Sequence, residues 1–444
     1  MTSILIASGR IIDPAEGVDM VGNVLIEDGR VVRVEADITP PEGARVIDAA
    51  GMVVCPGFID VHCHLRDPGL EYKETIATGT RAAAKGGFTT VCAMPNTEPT
   101  MHTRATVEYV LQKARSEGVV RVLPIGCVTK RSAGVELSEM AELAEAGCIG
   151  FSDDGHPVAD SNIMRQALSY ASGLGLPIIN HCETPDLFRD GHMNEGWVSN
   201  RLGIQGAPNS AEETMVARDI MLSELTGGHI HLAHISTPGT LELVRSAKAR
   251  GVRATCEVTP HHLTLTDEAV MGDAGGHPFV ALGTAAYDTL AKVNPPLRAR
   301  SDMETMVEGL RDGTIDMIAT DHAPHNTIEK LSTFDEAAMG ISVLETALGS
   351  VLSLVHAGQI GLPLIVKKLT SAPAAFLGRT DIGSLRPGTS ADVTIFDPDA
   401  EWTVDTEEFV SKGKNSPLHG QTLKGKVMTT IVGGEVVFDS KSLS

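Results

Sequence analysis

The residues best equipped for chemistry in this chain are imidazoles and carboxylates that close apolar runs. His62 and His64 end "FIDVHCH", Asp154 ends "CIGFSDD", His181 stands near the end of "PIINHC", His234 near that of "HIHLAHIS", and Asp321 near that of "DMIATDH". Neutral imidazole and carboxylate are the donors zinc prefers outside thiolate sites. His62 and His64 are two residues apart, so on a strand both face one way and can share one metal. Taken singly, each signal is weak. A chain with 16 histidines meets His-x-His by chance. The second instance, "HIH" at 229–231, opens its run rather than closing it and reads as structural. A lone histidine at a strand end is more often a satisfied structural residue than a ligand, and Asp153-Asp154-Gly155 reads first as a plain turn. The coincidence decides: ligand types close five of the runs at what would be one face, and independent accidents would not choose the same end.

Other polar residues gather beside them. Arg66 in "HLRDPG" follows the histidines, and its guanidinium could clamp a substrate carboxylate through two parallel hydrogen bonds. An ion pair with neighbouring Asp67 is the plainer alternative. Asn96 in "AMPNTEP", Asn294 in "KVNPPLR" and His325 in "TDHAPH" are further candidates for substrate contact. His261 and His262 in "TPHHL" stand equally for a supporting role behind the ligands or for structure alone. Cys63, Cys92 and Cys182 alternate with site residues and are expected to face away from the site; a cysteine nucleophile is not expected.

Elements must hold these groups in place. Eight short apolar runs (58–64, 89–94, 121–128, 148–154, 177–182, 229–236, 253–260 and 316–322) alternate with helix-period segments at 73–86, 103–117, 136–146, 160–173, 211–226, 238–250 and 301–312. This is the pattern of α/β architecture closed as a (β/α)8 TIM-type barrel, whose sites lie at the C-terminal ends of the strands. A doubly wound open sheet is the rival, but no GxGxxG follows the first strand. Both chain ends carry short β-like runs with turn signals such as Asp13-Pro14 and Asp28-Gly29. Neither end alone would bury a sheet face. A composite β-domain of residues 1–55 with 375–444 is expected around a metal-dependent barrel at 56–374. Two connections, 184–210 and 264–300, exceed the usual length and read as functional or lid-like.

The balance of 36 basic against 57 acidic residues gives a net charge of -21 over 444 residues. That excludes nucleic acid or an anionic membrane surface as the main partner, yet leaves room for an anionic small substrate in a locally cationic pocket. No apolar run approaches the ~20 residues of a membrane span, and the N-terminus turns polar too soon for a signal peptide. Seven cysteines without a CxxC pair suit buried reduced thiols. A cytoplasmic, disulfide-free protein is expected.

The motifs "GFIDVHCHLRDPG", "AMPNTEPT", "GFSDDG", "NHCE", "HLAHIST", "EVTPHHL", "KVNPPLR" and "GTIDMIATDHAPH" together resemble the amidohydrolase superfamily and, more narrowly, the bacterial type I dihydroorotases, over nearly the whole chain. The resemblance implies two zinc ions per chain and the reversible cyclisation of N-carbamoyl-L-aspartate to L-dihydroorotate in pyrimidine (UMP) synthesis. It implies that His62, His64 and Asp321 hold one zinc, that His181 and His234 hold the other, and that Asp154 bridges them. Asp321 would also carry the proton. His64, Arg66, Asn96, Asn294 and His325 would contact substrate. Met339 and Gly340 match a backbone-binding position where many relatives have Phe-Gly; "AAMG" departs there, as does the longer stretch "GDAGGHPFVALGTAAYDTL" before the last run. Other cyclic amidases of the superfamily, allantoinases and hydantoinases, typically bridge their metals with a carboxylated lysine. Here no lysine occurs between Lys130 and Lys248, so the fourth run cannot supply one; only one aspartate of the pair can bridge, and the resemblance favours Asp154, with Gly155 permitting a close backbone and Asp153 as a supporting neighbour. Lys130 is the one nearby substitute and reads as a solvated turn residue. A homodimer is expected, and an association with aspartate transcarbamoylase is part of the same implication. The rivals are an allantoinase- or hydantoinase-like amidase and a non-catalytic structural partner of that transcarbamoylase; degenerate copies lose ligands, and all six candidates are present here.

Overall fold

Alternating valine and isoleucine drive the first segment into strands: β1 (Ser3–Asp13), β2 (Val18–Glu27), β3 (Arg30–Glu35), β4 (Arg45–Asp48) and β5 (Val53–Pro56). The computed structural model describes residues 3–274 and 286–443. Residues 275–285, in the long stretch before the last barrel strand, lie outside the described residues, and the expectation for that loop with them.

The barrel strands follow as β6 (Phe58–Cys63), β7 (Phe88–Ala93), β8 (Arg121–Pro124) and β9 (Ile178–Asn180). A short ribbon of β10 (Met193–Asn194) and β11 (Gly206–Ala207) lies in the 184–210 connection. Then come β12 (Ile230–Leu232), β13 (Ala254–Val258) and β14 (Met317–Ile318). Parallel pairing joins β6, β7 and β8 in one group and β9, β12, β13 and β14 in another. Single bridges close the ring: Gly126 to Phe151, Phe151 to Ile178, and Cys63 to His322.

The fourth expected strand, 148–154, is therefore a correction: it contributes one bridged residue, Phe151, rather than a ladder. Its neighbours explain this. Ile149 N donates to Pro124 O and Phe151 N to Pro177 O, and proline accepts but has no N–H to return.

Helices cover the ring from Ile76–Lys85 to Arg300–Asp312, several of them opened by a hydroxyl or carboxylate cap such as Thr75, Thr103, Asp160 and Thr237. The chain then returns to the first sheet with β15 (Val393–Thr403), β16 (Thr422–Val432) and β17 (Glu435–Asp439). The sheet runs β17-β16-β15-β5-β1-β2-β3, with β4 beside β1. Its apolar face (Ile4, Ile6, Ile11, Val24, Val54, Val393, Ile395, Ile431) forms a core of its own.

A second cluster draws Ile59, Val61, Cys92, Met94, Ile125, Ile179, Ala233, Met317 and Ala319 from all round the ring, which places it inside the barrel. Cys92 thus faces inward, against expectation, whereas Cys63 and Cys182 pack in the outer layer. His62 and His64 face one way, as their spacing predicts, with Cys63 between them turned outward. A bulge sets Asp60–Cys63 against Val91–Ala93, three steps against two, and His64 lies past the strand end. All seven cysteines are buried and unpaired. Among the described residues no helix is long and apolar enough to cross a membrane.

The two units are joined by aromatic packing. The Phe58 ring lies 5.7 Å from Phe88 and 6.2 Å from Phe396 of β15. Thr394 Oγ1 donates to Gly87 O and Thr430 Oγ1 to Ala84 O, each at 2.6 Å, and Arg121 pairs with Asp392 at 2.7 Å. Phe396 is fully buried. Phe396→Ala should lower stability by about 3–5 kcal/mol, read as a lower urea midpoint; a loss under about 1 kcal/mol would show that this ring does not hold the sheet to the barrel.

Candidate active site

Ring closure brings the ligand types together. Asp321 N donates to His62 O at 3.0 Å and His64 N to His322 O at 2.9 Å, so the last strand end is stitched to the first. Asp60, fully buried in β6, reinforces this seam by accepting from Thr320 N at 2.8 Å and from Thr320 Oγ1 at 2.5 Å. Phe151, tied to both neighbouring strands, delivers Asp153 and Asp154. Their side chains part company: Asp153 accepts from Thr129 N at 3.0 Å and from the Thr129 hydroxyl, facing away from the site. Asp154 points inward, and the backbone turns at once through Gly155, φ 81°.

Asp154 is the hub. Its Oδ1 lies 3.4 Å from His62 Nε2, 3.7 Å from His234 Nε2 and 3.9 Å from His181 Nδ1; its Oδ2 lies 3.5 Å from His64 Nε2. Two groups, His62–His64–Asp154 and Asp154–His181–His234, each keep their donor atoms within 4.8 Å of one another, with Asp154 common to both. Asp321 Oδ1 lies 2.9 Å from His64 Nε2 and 3.4 Å from His62 Nε2. All six side chains are buried. His62 Nε2 and Asp154 Oδ1 face each other without a hydrogen-bond partner, and His181 Nδ1 lies 2.9 Å from His234 Nε2. Nitrogen and carboxylate donors converging in this way suit a pair of divalent cations, so the residues present fit the metal that the sequence implies.

Lys130 is excluded as a bridge: it is a surface residue paired with Glu136 at 2.6 Å and Glu139 at 3.5 Å.

Hydrogen bonds behind the ligands fix the tautomers. His62 Nδ1 donates to Glu257 Oε1 at 2.6 Å, leaving Nε2 free to ligate. Glu257 also accepts from His234 N at 3.3 Å and from His231 Nε2 at 3.0 Å. Burial pushes its carboxyl up, but His62 and His231 outweigh this and hold it down at about 2. Glu257 and His231 were missed by the sequence reading. The signal was a charge in the middle of the apolar run "ATCEV", which only a buried partner could justify. His64 Nδ1 donates to Asn96 Oδ1 at 2.8 Å. The backbone is strained here: His234 (φ 34°), Asp321 (φ 45°) and Arg66 (φ 61°) all occupy the left-handed region, at a cost of order 1–3 kcal/mol each.

The pocket above is lined by His64, Arg66, Asn96, Asp154, Gly155, His181, His234, Asn294, Asp321, Ala323, His325, Met339 and Gly340. Arg66 is buried, and Asp67 does not pair with it; Asp67 takes Lys113 at 2.9 Å. Arg66 Nε donates weakly to Pro324 O at 3.4 Å, and among the described residues no carboxylate lies within 4.0 Å of its guanidinium nitrogens. His325 Nε2 donates to Met339 O at 2.9 Å. Burial with Arg66, Lys73 and Lys330 nearby pushes His325 down to about 2, so it is neutral. Gly340 has φ 147°, and a Cβ there would meet Ala323 at 2.8 Å. His262 supports the Asn294 turn by bonding Pro295 O at 3.0 Å; among the described residues neither ring nitrogen of buried His261 has a hydrogen-bond partner.

A barrel with nitrogen and carboxylate donors gathered at its strand ends is the architecture of an amidohydrolase, and comparison with known proteins narrows the class. The Dihydro-orotase-like family matches residues 51–240 and the Amidohydrolase family residues 224–438. The chain is 50% identical to the dihydroorotase of Geobacter metallireducens over 436 residues, covering 98% of this chain and 99% of that one. It is also 50% identical to the dihydroorotase of Pelotomaculum thermopropionicum over 439 residues, 99% of each. The chain belongs to the dihydroorotase family. Among solved structures, the L-hydantoinase of Arthrobacter aurescens superimposes with TM-score 0.86 at 25% identity over 99% of this chain and 96% of that one. The D-hydantoinase of a Thermus species gives 0.79 at 24%, over 98% and 95%. These report the shared fold.

Asp154→Ala should lose bound metal in dialysis far more readily than Asp153→Ala, measured by elemental analysis, and activity should be indifferent to bicarbonate. Bicarbonate activation would point to a carboxylated lysine instead. Glu257→Gln should weaken metal affinity by about 10–100-fold; wild-type affinity in that variant would show that Glu257 does not orient the ligands.

Proposed function

We propose that this chain catalyses the reversible, zinc-dependent cyclisation of N-carbamoyl-L-aspartate to L-dihydroorotate in pyrimidine synthesis. The barrel at 56–374 would do the chemistry and the composite β-domain, 1–55 with 375–444, would support it. The observation that carries the reading is Arg66: a buried guanidinium with no carboxylate within 4.0 Å among the described residues opens on a pocket whose floor is the ligand cluster. In a protein of net charge -21, that is a site built for an anion.

His62, His64 and Asp321 would hold one zinc, His181 and His234 the other, with Asp154 between them. When bound there, such ions would supply a hydroxide nucleophile near neutral pH and polarise the amide carbonyl. Asp321 does the proton work. Burial pushes its carboxyl up, but His62 and His64 outweigh this and keep it well below the usual range, so it is ionised at neutral pH and carries no proton of its own. In ring opening the oxygen of water goes to the carbonyl carbon as the ring C–N bond breaks, and Asp321 returns the proton to the leaving nitrogen. Closure is the reverse. Arg66, Asn96 and His325 orient the substrate carboxylate, while Asn294, His64 and the Met339–Gly340 backbone position the rest, so geometry is set before chemistry. Seven buried, unpaired cysteines support a cytoplasmic setting. We extend the proposal to a homodimer, supported by the exposed Met221 and Leu225 one turn apart on helix Ser210–Thr226, and to an association with aspartate transcarbamoylase; sizing with and without that partner checks both.

Purified protein should turn over dihydroorotate in both directions, lose activity on chelation and regain it with zinc. Hydantoin and allantoin, which lack the carboxylate, should be rejected by ~10⁴-fold; comparable rates on them would favour a general cyclic amidase. Asp321→Asn should lose more than the ~10²–10⁴-fold typical of acid–base groups, and a variant keeping a tenth of the rate would put the proton carrier elsewhere.

A further inference from the structure

The two loop walls of the pocket have no ladder between them. Asn294 follows the turn Thr289–Ala291, and Met339–Gly340 ends the loop that begins with helix Thr327–Lys330. One buried ammonium reaches carbonyls on both. Lys330 is 3% exposed, and its Nζ donates to Thr289 O at 2.8 Å, Lys292 O at 3.0 Å and Ala338 O at 2.7 Å. Three protons meet three carbonyls, two from one wall and one from the other. Among the described residues no carboxylate lies within 4.0 Å of this nitrogen. A buried lysine without a counter-ion is unfavourable unless its hydrogen bonds do something an apolar side chain would not.

The surrounding contacts reinforce the same join. Thr289 Oγ1 donates to Lys330 O at 2.6 Å, Gly340 N to Lys292 O at 2.9 Å, and Lys292 Nζ to Asp335 O at 2.9 Å. Lys292 O lies two residues before Asn294, and Ala338 O immediately before Met339.

We propose that Lys330 is a positioning residue, an ammonium clamp that sets the separation between the Asn294 wall and the Met339–Gly340 wall and thereby the fit of the substrate. This rests on the dihydroorotase reading above. No metal ligand touches Lys330, so the clamp should govern substrate fit without governing metal binding.

The test is Lys330→Met, which keeps the apolar stem and removes the donors. Zinc content should equal that of wild type. The kcat/KM should fall on the order of 10²-fold, the consequence of a roughly 1 Å misplacement of positioning groups, with most of the loss in KM. Hydrogen exchange should rise in 286–294 and 336–341 together, a readout that needs no substrate. Unchanged KM, or faster exchange in neither wall, would overturn the clamp. If Lys330→Met does not fold, Thr289→Val, which removes the reciprocal bond, should raise KM several-fold, and an unmoved KM there would be equally decisive. An inactive wild type with exchange rising in both walls would fault the reading of the reaction and leave the clamp standing.

Discussion

Six ionisable side chains share one nearly dry space, and the rest of the structure is arranged around the cost of that crowding. Two carboxylates and four imidazoles lie within hydrogen-bonding or ion-pair reach of one another, all but removed from water. Such a cluster is unstable as bare charge: burial opposes each ionised form, and only mutual pairing or a bound cation offsets it. The carboxyls of Asp154 and Asp321 nonetheless stay low, because burial is outweighed by the histidines around them. The fold keeps an anionic cage ready for cations, and it does so before any substrate arrives.

Holding that cage requires more than the ligands. Glu257 reaches the His62 ring and the His234 backbone, so a single carboxylate couples a ligand from each half of the site. The seam between the first and last strand ends, fixed by Asp60, puts the two ends of the barrel in register at the point where His62, His64 and Asp321 meet. The terminal sheet enters the same chain of dependence. β5 passes to β6 through Gly57, where a Cβ would collide with the Thr89 side chain, and the pairing of β5 with β15 anchors the strand that carries His62.

Most of the cage was legible in the sequence because its signal is periodic: polar ligand types at the ends of apolar runs mark one face of a parallel barrel. The β-domain from both termini was legible for the same reason. What escaped was non-local. The fourth run looked like a strand, but Pro124 and Pro177 in its neighbours deny it a ladder. Cys92 looked outward by alternation, but the barrel interior takes it. His231 looked structural because it opens its strand; only the fold shows that its partner is the carboxylate behind His62. Lys330 carried no pattern at all, because its acceptors are backbone carbonyls from two loops.

This difference between pattern and contact divides the site into two kinds of construction. The metal cage stands on strand ends, where the ladder, the seam and strained left-handed residues leave little freedom. The walls that touch substrate stand on loops, where position depends on a few specific bonds: the Lys330 ammonium, the Asn415 amide donating to Ala323 O and Gly340 O at 3.0 Å each, and the His325 ring on Met339 O. A barrel can therefore keep its fold while its walls are rebuilt, and this chain superimposes on the L-hydantoinase of Arthrobacter aurescens with TM-score 0.86 at 25% identity. The fourth strand shows the same division: Pro124 and Pro177 in its neighbours have no N–H to return, so Phe151 is held by single bridges on either side, and the turn at Gly155 brings Asp154 in to the four imidazoles.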